Sequence, residues 1–188
     1  MIMANQGATR RKINPQKFAM WTAIGSIIMM FAGFTSGLIV RKSQGNWLAF
    51  DLPNLLYIST GVILVSSLTM HLALKTFKER NMRLHKKYVV ATVILGLSFA
   101  ILQYFGFKHM LSNLPWNNNV SLQYIVVIIG VHAAHILGGV VALFVMFLQT
   151  FNKREKIYSS SKLEIVATYW HFVDILWVYL FIFFIITR

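Results

Sequence analysis

A histidine and an aspartate three residues apart, His171 and Asp174, lie inside the last long hydrophobic run of the chain. A bilayer interior penalises ionisable side chains, so such a pair is a functional hypothesis by default. At this spacing both reach neighbouring parts of one helix surface. The preceding run carries a second pair with the same spacing, His132 and His135. Glu164 stands seven residues before His171, so the two stack two turns apart, with Asp174 about 60° round the same helix. Imidazole and carboxylate together can hold or pass a proton, bind an anionic headgroup or ligate a metal. Buried polar groups in lipid must find partners. The plainest reading is therefore a satisfied network of histidine, carboxylate and backbone carbonyl between the fourth and fifth runs.

Other chemistries use the same residues. A metal site could draw on His132, His135, His171 and Asp174, but di-iron carboxylate centres need several glutamates and Asp174 is the one deep carboxylate. A bis-histidine haem needs one histidine on each of two facing helices, for which His71, His132, His135 and His171 are the candidates. A proton site or a headgroup site remains, since basic and imidazole groups near an interface hold anionic lipid.

The elements that position these groups follow from composition. Of 188 residues, 57% are hydrophobic and only 12% charged, with a mean hydropathy of +0.62. That is well below the roughly 25% charged residues of a soluble domain. The net charge of +13 does not point to nucleic acid, because the basic residues lie between apolar runs instead of along one stripe. Without cysteine there is no disulfide, thiolate metal site or iron–sulfur cluster. Five apolar runs are long enough to cross a bilayer, approximately 18–40, 55–74, 88–107, 122–148 and 165–187. They are continuous instead of alternating, which excludes barrel strands. The expectation is one all-α membrane domain, residues 1–188, in which a polar basic tail (1–17) precedes a bundle of five transmembrane helices. The first run is too long for a secretory signal and reads as an uncleaved span.

Lysine and arginine set the orientation. One side holds Arg10, Arg11, Lys12 and Lys17, then six in the second connection (Lys75, Lys78, Arg80, Arg83, Lys86, Lys87), then Lys153, Arg154, Lys156 and Lys162. The other side holds only Arg41, Lys42, Lys108 and Arg188. The positive-inside rule then places the amino terminus in the cytoplasm and the carboxyl terminus outside. The outer connections carry Asp51 with Pro53 and the turn-prone Pro115-Trp116-Asn117-Asn118-Asn119.

Small residues let membrane helices approach. Gly33 and Gly37 on the first span, with Ala134, Gly138 and Gly139 on the fourth, are the expected packing positions against sister helices or a partner subunit. Gln103 and Tyr104 are expected to hydrogen-bond a neighbouring helix, His71 to meet headgroups and Leu180 to face lipid. Trp21, Trp47, Trp116, Tyr57 and Tyr88 fall near segment ends, where aromatic belts form. The nine methionines are adaptable filler.

The whole pattern resembles subunit III of the haem–copper terminal oxidases, the cytochrome c and quinol oxidases. The most specific stretch is Glu164 followed by Ala167-Thr168-Tyr169-Trp170-His171-Phe172-Val173-Asp174-Ile175-Leu176-Trp177. It is joined by Gly130-Val131-His132-Ala133-Ala134-His135-Ile136-Leu137-Gly138-Gly139, by the third-span Leu95-Gly96…Phe99…Gln103, and by Met30-Phe31-Ala32-Gly33-Phe34. Two positions depart from the family: its buried glutamate on the first of these helices aligns with Ile27, and its acidic residue after the span-three glutamine with Gly106. The resemblance implies the short five-helix bacterial form in the cytoplasmic (inner) membrane. It implies an accessory subunit with no catalytic or metal-binding residue, in a complex that reduces oxygen to water and pumps protons. Haems and copper would sit in partner chains, with catalytic subunit I, subunit II and phospholipid as partners and a larger respiratory supercomplex left open. His132, His135, Glu164, Trp170, His171 and Asp174 would line a lipid cleft or form an interhelix network that supports proton uptake and turnover stability. From the residues alone, the alternative is a stand-alone bis-histidine haem-binding electron carrier.

Overall fold

The computed structural model describes residues 15–45, 52–112, 120–151 and 160–187. The expectations for Arg10, Arg11, Lys12, Trp47, Asp51, Pro115 to Asn119, Lys153, Arg154, Lys156 and Arg188 fall outside them. Five long helices follow in order: α1 (Pro15–Ser43), α2 (Asn54–Lys78), α3 (Met82–Ser112), α4 (Val120–Phe151) and α5 (Ser160–Thr187). All five are long and apolar enough to cross a membrane. Among the described residues there is no strand. Each helix overruns its apolar run by a few residues, because the backbone stays helical in the interfacial layer. There, Lys and Arg can lay their methylenes on apolar surface and keep the charge in water.

The arrangement is centred on α5, which packs against α1, α2 and α4, while α4 packs against α1, α3 and α5. α2 and α3 form the closest pair. Half of the most apolar window of α5 is buried, against 22% for α1. This explains why Leu180, expected to face lipid, is only 1% exposed. A helix that is apolar on every side shows no outward stripe in its sequence. The lipid-side positions of α5 are instead Ile175, Ile182 and Ile186.

The α2–α3 connection shows how local chemistry closes a hairpin. After Lys78 the chain turns through Glu79 and Arg80, and Arg80 adopts a left-handed backbone with φ of 58°. The amide of Arg80 donates to the Phe77 carbonyl and that of Asn81 to Thr76, both at 3.0 Å. These are the paired bonds of a Schellman ending, usually built on glycine. An L-residue there costs about 1–2 kcal/mol. Asn81 then caps α3, accepting from the Leu84 amide at its Oδ1 (3.4 Å). The buried His85 donates from Nδ1 to the Ala73 carbonyl at 2.9 Å and rests against the Phe77 ring. That imidazole sits in a run of Lys and Arg, so the sequence offers no sign that it closes a helix pair.

Candidate functional site

Trp170 organises the interior. Its indole is 1% exposed and donates from Nε1 to Ser66 Oγ on α2 at 3.2 Å. On the other sides it presses on two glycines. A Cβ at Gly96 of α3 would lie 2.9 Å from the Trp170 Cη2, and one at Gly139 of α4 would lie 3.1 Å from its Cζ3. A methyl at Gly96 would force the ring to shift, and one at Gly139 would need it to give by a few tenths of an ångström. Two turns on, Trp177 is also buried and donates to Thr60 Oγ1 of α2 at 3.0 Å. It packs edge-on to Phe99 and Phe107 of α3.

The histidines and acids divide into four settings instead of forming one network between α4 and α5. His132 is fully buried and stacks on Trp177 with centroids 5.2 Å apart and planes 20° apart. Neither of its ring nitrogens has a hydrogen-bond partner among the described residues, so it serves as a flat ring. His135 faces α1 instead: its ring meets Phe31 edge-on at 5.7 Å, and its Nδ1–H donates to the Val131 carbonyl of its own helix at 2.7 Å. The hydrogen bond that does join α4 to α5 runs from the Tyr169 hydroxyl to the His135 carbonyl, at 3.2 Å.

His171 and Asp174 turn towards α2. The His171 Nδ1 and Ser67 Oγ are 2.7 Å apart, and the same nitrogen is 3.9 Å from Asp174 Oδ2. Asp174 lies close to the middle of α5 and is 3% exposed. The Ser67 hydroxyl lies beside its carboxylate, yet neither Asp174 oxygen holds a well-aligned hydrogen bond among the described residues. The partners of this pair were not anticipated. A signal did exist in the hydroxyl pairs Ser59-Thr60 and Ser66-Ser67, seven residues apart and so on one side of α2. Serine in an apolar helix can also bond its own preceding turn, which hides such a stripe.

Glu164 stands apart, at the start of α5. Its Oε2 is 2.6 Å from Lys17 Nζ on α1 and its Oε1 is 3.5 Å from Lys78 Nζ at the end of α2. One carboxylate thus ties three helices at the Lys/Arg-rich end. At the opposite end Lys42 donates to the Thr187 carbonyl at 2.9 Å, where a cation meets the negative end of α5. Between them the Thr35 and Tyr179 hydroxyls are 2.8 Å apart. α1 and α5 are thus fastened at both ends and towards one end, and an open groove of about 610 Å³ remains along the seam. Trp21, Ile24, Ile28, Phe172 and Ile175 line it, and His171 interrupts the apolar wall.

Other expectations resolve simply. Gln103 donates to Ser59 of α2 at 3.0 Å, as a helix-bridging amide. Tyr104 makes no hydrogen bond to another helix among the described residues; it is 63% exposed and packs edge-on to Phe105. His71 is exposed. Gly37 is in ordinary contact with Tyr124 of α4, and Gly138 lies near the Tyr169 hydroxyl. A Cβ at Gly33 would meet no atom of another element within 4 Å among the described residues, and Ala134 is exposed, so both positions lie on the outer surface of the bundle. Of the four histidines weighed as haem ligands, His132, His135 and His171 have different neighbours, and His71 is exposed. Among the described residues no three His, Asp or Glu side chains converge.

Comparison with known proteins gives a consistent answer. The family profile described as cytochrome c oxidase subunit III matches residues 46–187. A probable quinol oxidase subunit 3 of Staphylococcus epidermidis is 28% identical over 172 residues, covering 88% of this chain and 85% of the relative. Proteins with the same name from Staphylococcus haemolyticus and Staphylococcus aureus are 25% and 27% identical over 173 residues, with the same coverage.

Proposed function

This chain belongs to the cytochrome c oxidase subunit III family, and from that premise we propose that it is the accessory, non-redox subunit III of an oxygen-reducing, proton-pumping oxidase. It is an integral membrane protein with five spanning helices. In this reading it packs beside catalytic subunit I, with subunit II nearby, and haems and copper reside in those chains. The relatives' names favour quinol as the electron donor of the complex. The Lys/Arg-rich end faces the cytoplasm of a bacterial inner membrane, as the positive-inside rule requires.

The observation that carries the structural role is the α1–α5 groove. Its wall is apolar, and the Lys17–Glu164–Lys78 cluster joins the same helices at their basic end. Two lysines on one carboxylate leave a positive charge at headgroup level, which suits a phospholipid with its chains in the groove. Lipid there supports turnover stability by keeping α1 seated. His171, on the groove wall, and Asp174 behind it are the groups through which the subunit supports proton uptake. Purifying the native complex through a tag on this chain tests the assignment, with mass spectrometry for subunits and lipid and an optical spectrum for haem. Co-purification of a haem–copper subunit with retained phospholipid is expected. A tagged chain that brings down no such subunit overturns the reading.

A further inference from the structure

Four side chains carry buried polar atoms without a hydrogen-bond partner among the described residues: Arg41, Gln103, His132 and Asp174. Arg41 lies at the end of α1 and bonds Gln44 through its Nη1. Gln103 already bridges α3 to α2 through its amide nitrogen, and His132 is sealed between Trp177 and Phe31. Asp174 differs, because a hydroxyl and an imidazole stand beside it and the imidazole reaches a groove open to the outside of the bundle.

The geometry around Ser67 is that of a single hydroxyl serving two neighbours. Serine has one proton to donate and two lone pairs to accept with. As seen, its oxygen is engaged with His171 Nδ1 at 2.7 Å, and the nearby carboxylate is left without a bond. Rotation about the Cβ–Oγ bond, with the oxygen held in place beside both neighbours, turns the hydroxyl proton from His171 towards Asp174. We propose that His171, Ser67 and Asp174 form an intramembrane proton-holding unit, in which the Ser67 hydroxyl passes a proton between the imidazole and the carboxylate.

The transfer balances. His171, protonated on both ring nitrogens, gives its Nδ1 proton to Ser67 Oγ while Ser67 gives its own hydroxyl proton to an Asp174 oxygen. One N–H and one O–H bond break; the Ser67 O–H is renewed and an Asp174 O–H forms. An imidazolium and a carboxylate become a neutral imidazole and a neutral acid, so one proton moves while the net charge of the unit is unchanged. A fresh proton comes from water at the Lys/Arg-rich end. His71 lies one turn nearer that end of α2 than Ser67, is exposed, and is within electrostatic reach of His171. The sequence His71, His171, Ser67, Asp174 thus runs from an exposed to a buried position and ends at the acid. α1 contributes only Trp21, Ile24, Ile28, Phe31 and Ala32 to the groove beside His171, so no other titratable group faces it from that helix. The unit is a holder, not a channel: past Asp174 on α5, the Trp177 Nε1–H is taken up by Thr60 and the Tyr179 hydroxyl by Thr35, so each is paired elsewhere instead of extending the line.

The proposal deepens the proton-uptake part of the subunit III reading, and the test separates the two. Infrared difference spectroscopy of the purified whole complex, wild type minus Asp174→Asn, isolates the carboxyl band of this one side chain. Its shift on transfer to heavy water measures the rate of proton exchange. A protonated-carboxyl band that titrates, and that is absent from Asp174→Asn, is expected. Ser67→Ala and His171→Gln should retain the band but slow its exchange by about tenfold or more, and Ser67→Thr should restore it. Subunit stoichiometry checks that each variant has assembled. A missing band, or equal exchange rates in wild type, Ser67→Ala and Ser67→Thr, overturns the relay while leaving the oxidase assignment intact. A band that exchanges as described in a chain carrying no haem–copper partner would overturn the assignment and keep the relay.

Discussion

The two seams along α5 are built on opposite plans. Towards α2, polar bonds sit in the middle of the membrane: Ser66 with Trp170, Ser67 with His171 and Thr60 with Trp177. Towards α1 the strongest polar links lie at the extremities, Lys17 with Glu164 and Lys42 with the Thr187 carbonyl, and a groove remains along the seam. Interior hydrogen bonds, combined with the Trp170 fit, hold two helices at a fixed distance. Charged links at the membrane surface hold two helices in register but leave the space between them open. The first seam is rigid, and the second is shaped to be filled.

Several substitutions would break or sharpen this contrast. The largest effect is expected at Trp170: truncation to alanine empties the space between α2, α3 and α4 and should cost about 3–5 kcal/mol. Denaturant unfolding of the solubilised complex, followed by loss of this subunit, measures it. The matching change in the α1 seam, Trp21→Ala, removes a side chain that is 64% exposed and should leave unfolding almost unchanged. Next comes overfilling. Gly96→Ala or Gly139→Ala places a methyl within 2.9 or 3.1 Å of the Trp170 ring, for a penalty of about 1–3 kcal/mol. Combining either with Trp170→Phe should recover part of the loss. Ser67→Ala removes one interior hydrogen bond and should destabilise by about 1 kcal/mol, independent of salt. Glu164→Gln weakens a half-exposed cluster, worth about 0.2–1 kcal/mol per pair. That loss should fade in high salt, and retained phospholipid should fall with it. If the Ser67 and Glu164 variants show the same salt dependence, the two seams are not built differently.

Much of the architecture is legible in the chain because length and apolarity are the same requirement in lipid: each run that satisfies one satisfies the other. The ionisable positions inside α5 were legible for a related reason, since His171 and Asp174 stand out against hydrocarbon. Their partners were not. Ser66 and Ser67 are small, common in apolar helices, and carry no charge that would draw attention. The two α4 histidines do not join one polar network with α5, because His132 stacks on Trp177 with both nitrogens unbonded among the described residues, whereas His135 bonds its own helix at Val131. Which flank an imidazole chooses depends on the shapes of distant rings. Leu180 illustrates the remaining limit: when a helix is surrounded, every side of it looks alike.

The slot that receives Trp170 has an evolutionary corollary. Because Gly96 and Gly139 both meet the six-membered ring of one indole, at neighbouring ring atoms, the bulk of that ring acts as a gauge for the gap between the third and fourth helices. Lineages that trade the tryptophan for a slimmer ring should tolerate alanine or serine at the two facing places, and those that keep it should not. Substitutions at these three sites ought therefore to travel together through the descent of the family.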